Sequence, residues 1–304
     1  MQLKPSAMAG WSLFLLLVFL SVYLALAGLG TSITQAPMAY IVTGGAELLI
    51  FGVPTLVFKR YKPLQGLVDL RTQAASPLFA MHILSTSLTI ALASFLLQCL
   101  VTLPQGRIPA GLTAWYRIPE GIPKGMIWYI LGGVVLVPAA VETLFLHGAI
   151  FSLYEKRGTS TALIMTALAY AMLQREPEVV PAALAAGLGY GLLLYVTGSV
   201  WPVVFTHVLH NAYAMVIGRY ALLYPLNAAW TYFVAGNAAL LFLCAYVAVR
   251  TLRNLVREEQ VPRFDPGPGT FRLNLTGAVR NTGFLLFAAV FAVRIAVVLI
   301  ERLS

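Results

Sequence analysis

MIWYILGGVVLVPAAVETLFLHGAIFSLY, residues 126–154, decides what kind of chain this is. At about 1.5 Å of rise per residue, a helix over this run crosses about 30 Å of hydrocarbon with turns to spare. Inside it stands Glu142. A carboxyl near a bilayer centre costs a few kcal/mol even on the lenient insertion scales, so Glu142 must be protonated, partnered or working.

Working outward, apolar runs of comparable kind lie at 11–33, 39–58, 77–102, 160–174, 179–197, 200–223, 225–249 and 283–301, beside 125–154 itself. The fifth in chain order is short, and the sixth and seventh are joined by almost nothing, so the count is about eight to nine helices. With 60% hydrophobic and 10% charged residues and a mean hydropathy of +0.83, the chain is far more apolar than a soluble core requires. The expected fold is all-α, a polytopic transmembrane helix bundle forming one integral membrane domain over 1–304. The first run is longer than a signal-peptide core and is read as a retained helix.

The net charge of +9 does not imply nucleic acid, because the basic residues sit in short clusters between apolar spans. Lys59, Arg60, Lys62, Arg71, Lys156, Arg157, Arg250, Arg253, Arg257, Arg263, Arg272 and Arg280 fall on one side, against Arg107, Arg117, Lys124, Arg175 and Arg219 on the other. The positive-inside rule then places the N-terminus in the cytoplasm and makes 250–282 a cytosolic loop. That loop starts with Arg250, Arg253 and Arg257 on one helical face, which suits anionic headgroups or a solvated extension of the preceding helix equally well, and FDPGPG at 264–269 ends it. On the other side, Trp115 and Tyr116 in 103–124 fit an interfacial anchor. Cys99 and Cys244 lie in apolar runs and read as packing residues.

The intramembrane polar residues carry the functional question. Glu47 and Arg294 are isolated in sequence and either bridge one another or act separately; His82 reads as a hydrogen-bonded structural histidine. WPVVFTHVLHN at 201–211 is denser: His207 and Asn211 are four apart and share a face, with His210 about 60° to one side. Ala183, Gly187 and Gly191 form a small-residue ridge on the preceding helix. Thr143 and His147, also four apart, are placed to hydrogen-bond to each other. Glu142 does not share their face, wants a partner from another helix, and finds its best candidate in His207.

Together these stretches resemble the CPBP intramembrane proteases, which include the CAAX prenyl endopeptidases and bacterial bacteriocin-processing or self-immunity proteins. The resemblance covers about 142–211 within a core of about 125–223. TGSVWPVVFTHVLHN, 197–211, matches the family's His-x-x-x-Asn motif and its lead-in. Glu142 matches the first glutamate of Glu-Glu-x-x-x-Arg, with Thr143 and His147 in place of the second glutamate and the arginine. In the Phe-x-x-x-His motif, Tyr170 and Gln174 replace the phenylalanine and the histidine. The resemblance implies a bacterial plasma-membrane endopeptidase with a cavity open to the cytosol, in which Glu142 activates water while His207, Asn211 and Gln174 orient water or oxyanion. Thr143, His147 and His210 would support them, and a peptide or a membrane-protein segment would be the substrate.

No cofactor is expected. A catalytic zinc wants three protein ligands; Glu142, His207 and His210 supply the types, but Gln174 is a poor ligand and no His-Glu-x-x-His motif is present. A binding protein that keeps the fold without catalysis, and a small transporter using Glu47, Glu142 and Arg294, are the alternatives. Against the transporter, no inverted repeat is visible.

Overall fold

In lipid every backbone N–H and C=O must be satisfied within the chain, and the apolar runs answer this by becoming helices. A computed structural model describes residues 4–29, 38–61, 66–107, 125–174, 176–223, 226 and 228–303. The described helices are α1 (Pro5–Leu29), α2 (38–60), α3 (Ala80–Thr102), α4 (126–155), α5 (Thr159–Leu173), α6 (Val180–Thr197), α7 (Trp201–Leu223), α8 (Ala228–Arg257), α9 (Phe271–Val279) and α10 (Thr282–Leu303). Seven of them are long and apolar enough to cross a membrane, and no strand is found among the described residues. The chain is a multi-pass membrane protein with an all-α bundle. The described part of each of the nine apolar runs falls on a helix. The interfacial reading of Trp115 and Tyr116 lies outside the described residues.

Two places depart from a plain succession of spans. The Arg250, Arg253 and Arg257 face is a direct continuation of α8, which runs unbroken to Arg257. Beyond it α9, not foreseen in the loop, starts at Thr270, whose hydroxyl accepts from the Leu273 N–H at 3.4 Å as an N-cap.

The bundle has two ends. At one, Arg71 pairs with Glu155 at 2.6 Å, the Thr159 N–H donates to the Asp265 carbonyl, and the start of α10 touches Gly10 and Trp11 of α1. At the other, Arg107 and Arg302 converge on Glu178. The 66–76 segment straps the first end. Leu70 is buried against Gly148, the Asp69 N–H donates to Ser152 Oγ, and the Gln73 carbonyl accepts from Ser199 Oγ. The 262–267 stretch lies across the same end, with Phe264 against Tyr195 and Gly267 against Arg157.

Glycines set the tightest helix crossings. A Cβ on Gly187 of α6 would come within 2.9 Å of the Ala167 Cα on α5, so the ridge read from sequence packs α6 onto α5. Gly44 of α2 lies against Gly133 of α4, where a Cβ would come within 3.0 Å of the partner's Cα. His82 is buried with its Nδ1 3.1 Å from Thr251 Oγ1, joining α3 to α8. Cys99 and Cys244 are free and buried.

Candidate active-site cavity

Glu142 lies about 25 Å from the start of α4 and about 20 Å from its end, at ~1.5 Å per residue. That is mid-bilayer depth for a helix of this length. The helix is not regular here. Wide π-type turns at Leu131–Leu136 and Leu144–Ile150 bracket the α-helical stretch Val137–Thr143. Pro138 heads that stretch and has no N–H to give back to the preceding turn. Wide turns of this kind leave carbonyls exposed and recur at functional sites. One such carbonyl, that of Val135, accepts from Asn211 Nδ2 on α7 at 3.5 Å. Asn211 thereby ties α7 to the wide turn of α4, beside the cavity that it lines with Glu142.

A cavity of about 180 Å³ opens beside this stretch. Glu142, Tyr170, Gln174, His207 and Asn211 line it from α4, α5 and α7, and Glu47 and Arg294 join them from α2 and α10. His207 Nε2 lies 3.8 Å from Glu142 Oε2, a separation that one small shift or a water closes. Glu142 keeps 20% of its side chain exposed and His207 only 4%, so the carboxylate is open to the cavity and the imidazole lies largely in the wall.

The wall fixes the imidazole from both sides. Thr143 Oγ1 lies 3.1 Å from His207 Nδ1, and the Tyr170 hydroxyl lies 3.3 Å from Nε2. When Thr143 donates, the ring proton sits on Nε2 and points at Glu142 and Tyr170. This corrects the expected Thr143–His147 hydrogen bond. The wide turn that starts at Leu144 changes the phase after Thr143. His147, 1% exposed, instead donates from Nε2 to the Gly187 carbonyl at 3.4 Å and packs edge-on against Tyr190. His147 therefore lies behind the cavity. So does His210, whose Nδ1 meets the Tyr190 hydroxyl at 2.7 Å.

Gln174 follows the last residue of α5 and lines the cavity, with its Nε2 donating to the Tyr170 carbonyl at 3.2 Å. One N–H is thus engaged in closing the helix end. The sequence reading passed over Tyr170 as a functional side chain, although its hydroxyl was the visible difference from phenylalanine. It also left Glu47 and Arg294 outside the site, and no spacing rule links residues so far apart in the chain. Among the described residues no cluster of three or more His, Cys, Asp and Glu side chains could hold a metal ion.

The cavity lies about midway along the bundle. Its lining uses the later part of α1, the earlier part of α2 and the final turn of α5 from the Glu178 side, and the first half of α7, which starts at the Arg71 end, from the other.

Comparison with known proteins gives one match, over part of the chain. No curated protein and no solved structure matches the chain. Residues 123–213, which run from the start of α4 through Asn211 on α7, match the family of type II CAAX prenyl endopeptidases described as Rce1-like.

Proposed function

We propose that the protein is a CPBP-type intramembrane endopeptidase homologue that hydrolyses a peptide bond in a peptide or in a membrane-protein segment, in the plasma membrane of a bacterium. One observation supports this above the others: Glu142 and His207 face each other at 3.8 Å in a cavity near mid-bilayer depth, inside the segment similar to prenyl endopeptidases. In this reading Glu142 takes a proton from water as the water oxygen attacks the scissile carbonyl. The Nε2–H of His207, held in place by Thr143, and the second N–H of the Asn211 amide then face the developing oxyanion.

The basic residues gather at the Arg71 and Arg157 end, which we place in the cytosol with the N-terminus. The strap of residues 66–76 covers that side, whereas the resemblance implies a cavity open to it. Access from the bilayer, or from the far side, fits the strapped Arg71 end better than the cytosolic opening that the resemblance implies.

Gln174 favours one other reading, since an amide cannot carry a proton where the resemblance has a histidine. A protein that binds peptides in this cavity without cutting them would tolerate Glu142→Gln. The test is cleavage of a fluorogenic peptide library by the purified full-length protein beside Glu142→Gln and Gln174→His. Cleavage by the parent, lost in Glu142→Gln, is the expected result. Cleavage by Gln174→His alone would identify a disabled protease.

A further inference from the structure

Two carboxyls face the cavity, and the second comes from outside the segment similar to prenyl endopeptidases. Glu47 lines the same space as Glu142. Its position follows from the chain. The Gly44–Gly133 contact brings the backbones of α2 and α4 together, Glu47 lies one turn further along α2, and the wide turn Leu48–Gly52 begins directly after it. Glu47 Oε2 is buried with no hydrogen-bond partner. A buried polar atom left unsatisfied inside a bundle is costly, and one on a residue that lines a reaction cavity calls for a functional account. Arg294 lines the cavity too, and one guanidinium balances one carboxylate, so a neutral cavity leaves the other carboxyl holding a proton.

Resting on the endopeptidase reading above, we infer that Glu47 is the general acid of the reaction and supplies the proton that position 174, as glutamine, cannot. The atoms balance as follows. A water oxygen bonds to the carbonyl carbon, its proton passes to the Glu142 carboxylate, and the carbonyl electron pair moves onto oxygen. The C=O bond then re-forms, the C–N bond breaks, and the proton of the Glu47 carboxyl goes to the departing nitrogen. Glu142 returns its proton to Glu47 across the shared cavity. One water is consumed, and a carboxylic acid and an amine are released.

The two carboxyls therefore differ in what they do for different leaving groups. An amine must be protonated to leave, whereas an alkoxide leaves from an ester with far less help. The experiment compares an amide-linked fluorogenic peptide library with its ester-linked counterpart, using the purified full chain, Glu47→Gln, Glu47→Asp and Glu142→Gln. Glu47→Gln should lower amide cleavage by about 10²- to 10⁴-fold while ester cleavage stays within about tenfold of the parent. Glu47→Asp should restore part of the amide rate, and Glu142→Gln should lose both. Equal loss of amide and ester cleavage in Glu47→Gln, with the parent's melting temperature, would assign Glu47 to binding or packing and overturn the inference; unchanged cleavage would also overturn it. If Glu142→Gln cleaves both libraries like the parent, or the parent cleaves neither, the endopeptidase reading itself fails and takes the role of Glu47 with it.

Discussion

Replacing Gly133 by alanine tests the contact on which the two-carboxyl geometry depends. A Cβ at this position would overlap the Tyr40 carbonyl oxygen, a backbone atom that cannot swing aside as a flexible side chain does. Relief requires α2 and α4 to part by on the order of 1 Å. Overpacking of this kind costs about 1–3 kcal/mol, and a 1 Å misplacement of a reacting group costs about 10²-fold in rate. Gly45, beside the contacting Gly44 on α2, is the control, since a Cβ there meets nothing within 4 Å. Alanine at that site should stabilise the helix by about 0.5–1 kcal/mol through lost backbone freedom. The assay is the melting temperature in detergent together with peptide cleavage. Gly133→Ala should melt several degrees lower and cleave about 10²-fold more slowly, while Gly45→Ala should match or exceed the parent in stability and keep its rate. If the two variants behave alike, backbone contact between α2 and α4 is not what holds Glu47 towards Glu142.

Thr143→Val keeps the shape and removes the hydroxyl that sets the His207 tautomer, leaving Nδ1 buried without its partner at a cost of about 1–3 kcal/mol. Cleavage should fall, and Thr143→Ser should recover it. Glu178 gives a pH dependence: burial pushes its carboxyl up, but the Arg302 hydrogen bond and the Arg302 and Arg107 charges outweigh this and hold it below the usual carboxylate range. A depressed folded-state value means that its contribution is complete above the ordinary glutamate range and is lost as pH falls through the depressed value. The parent's melting temperature should therefore drop on acidification by more than that of Glu178→Gln, which should be the less stable of the two at neutral pH; equal slopes would remove Glu178 from the account. For orientation, a membrane-impermeant maleimide should label Gln105→Cys in intact cells and Gln260→Cys only after permeabilisation, and the opposite pattern would reverse the proposed topology.

What was legible in the sequence was whatever lay within a few residues. The spans were visible because lipid demands long apolar helices, and His207 with Asn211 stood out because four residues make one helical turn. The Thr143–His147 bond failed for the same reason, since that rule assumes a regular helix and α4 widens from Leu144 onward. Pro138 in the middle of the run was the available sign of irregularity. Glu47 and Arg294 were noticed as polar residues in apolar runs but not placed in the site, because their meeting depends on glycine contacts between helices distant in sequence. The capped start of α9 at Thr270 is local too, a threonine N-cap directly after the chain-breaking FDPGPG.

The division between matched and unmatched helices bears on where the charge in the cavity comes from. Within residues 123–213 the neighbours of Glu142 are neutral groups: Thr143 hydrogen-bonds to His207, His147 turns away to Gly187, and Gln174 closes the end of α5. The cavity nevertheless keeps charge, because α2 and α10, both outside that segment, add a carboxyl and a guanidinium to the same wall. Charges in a membrane interior are costly and persist where something compensates them. Glu47 and Arg294 therefore share the cost of charge in one cavity with Glu142. Their presence there is the physical argument for a cavity whose charge balance depends on helices on both sides of the matched segment.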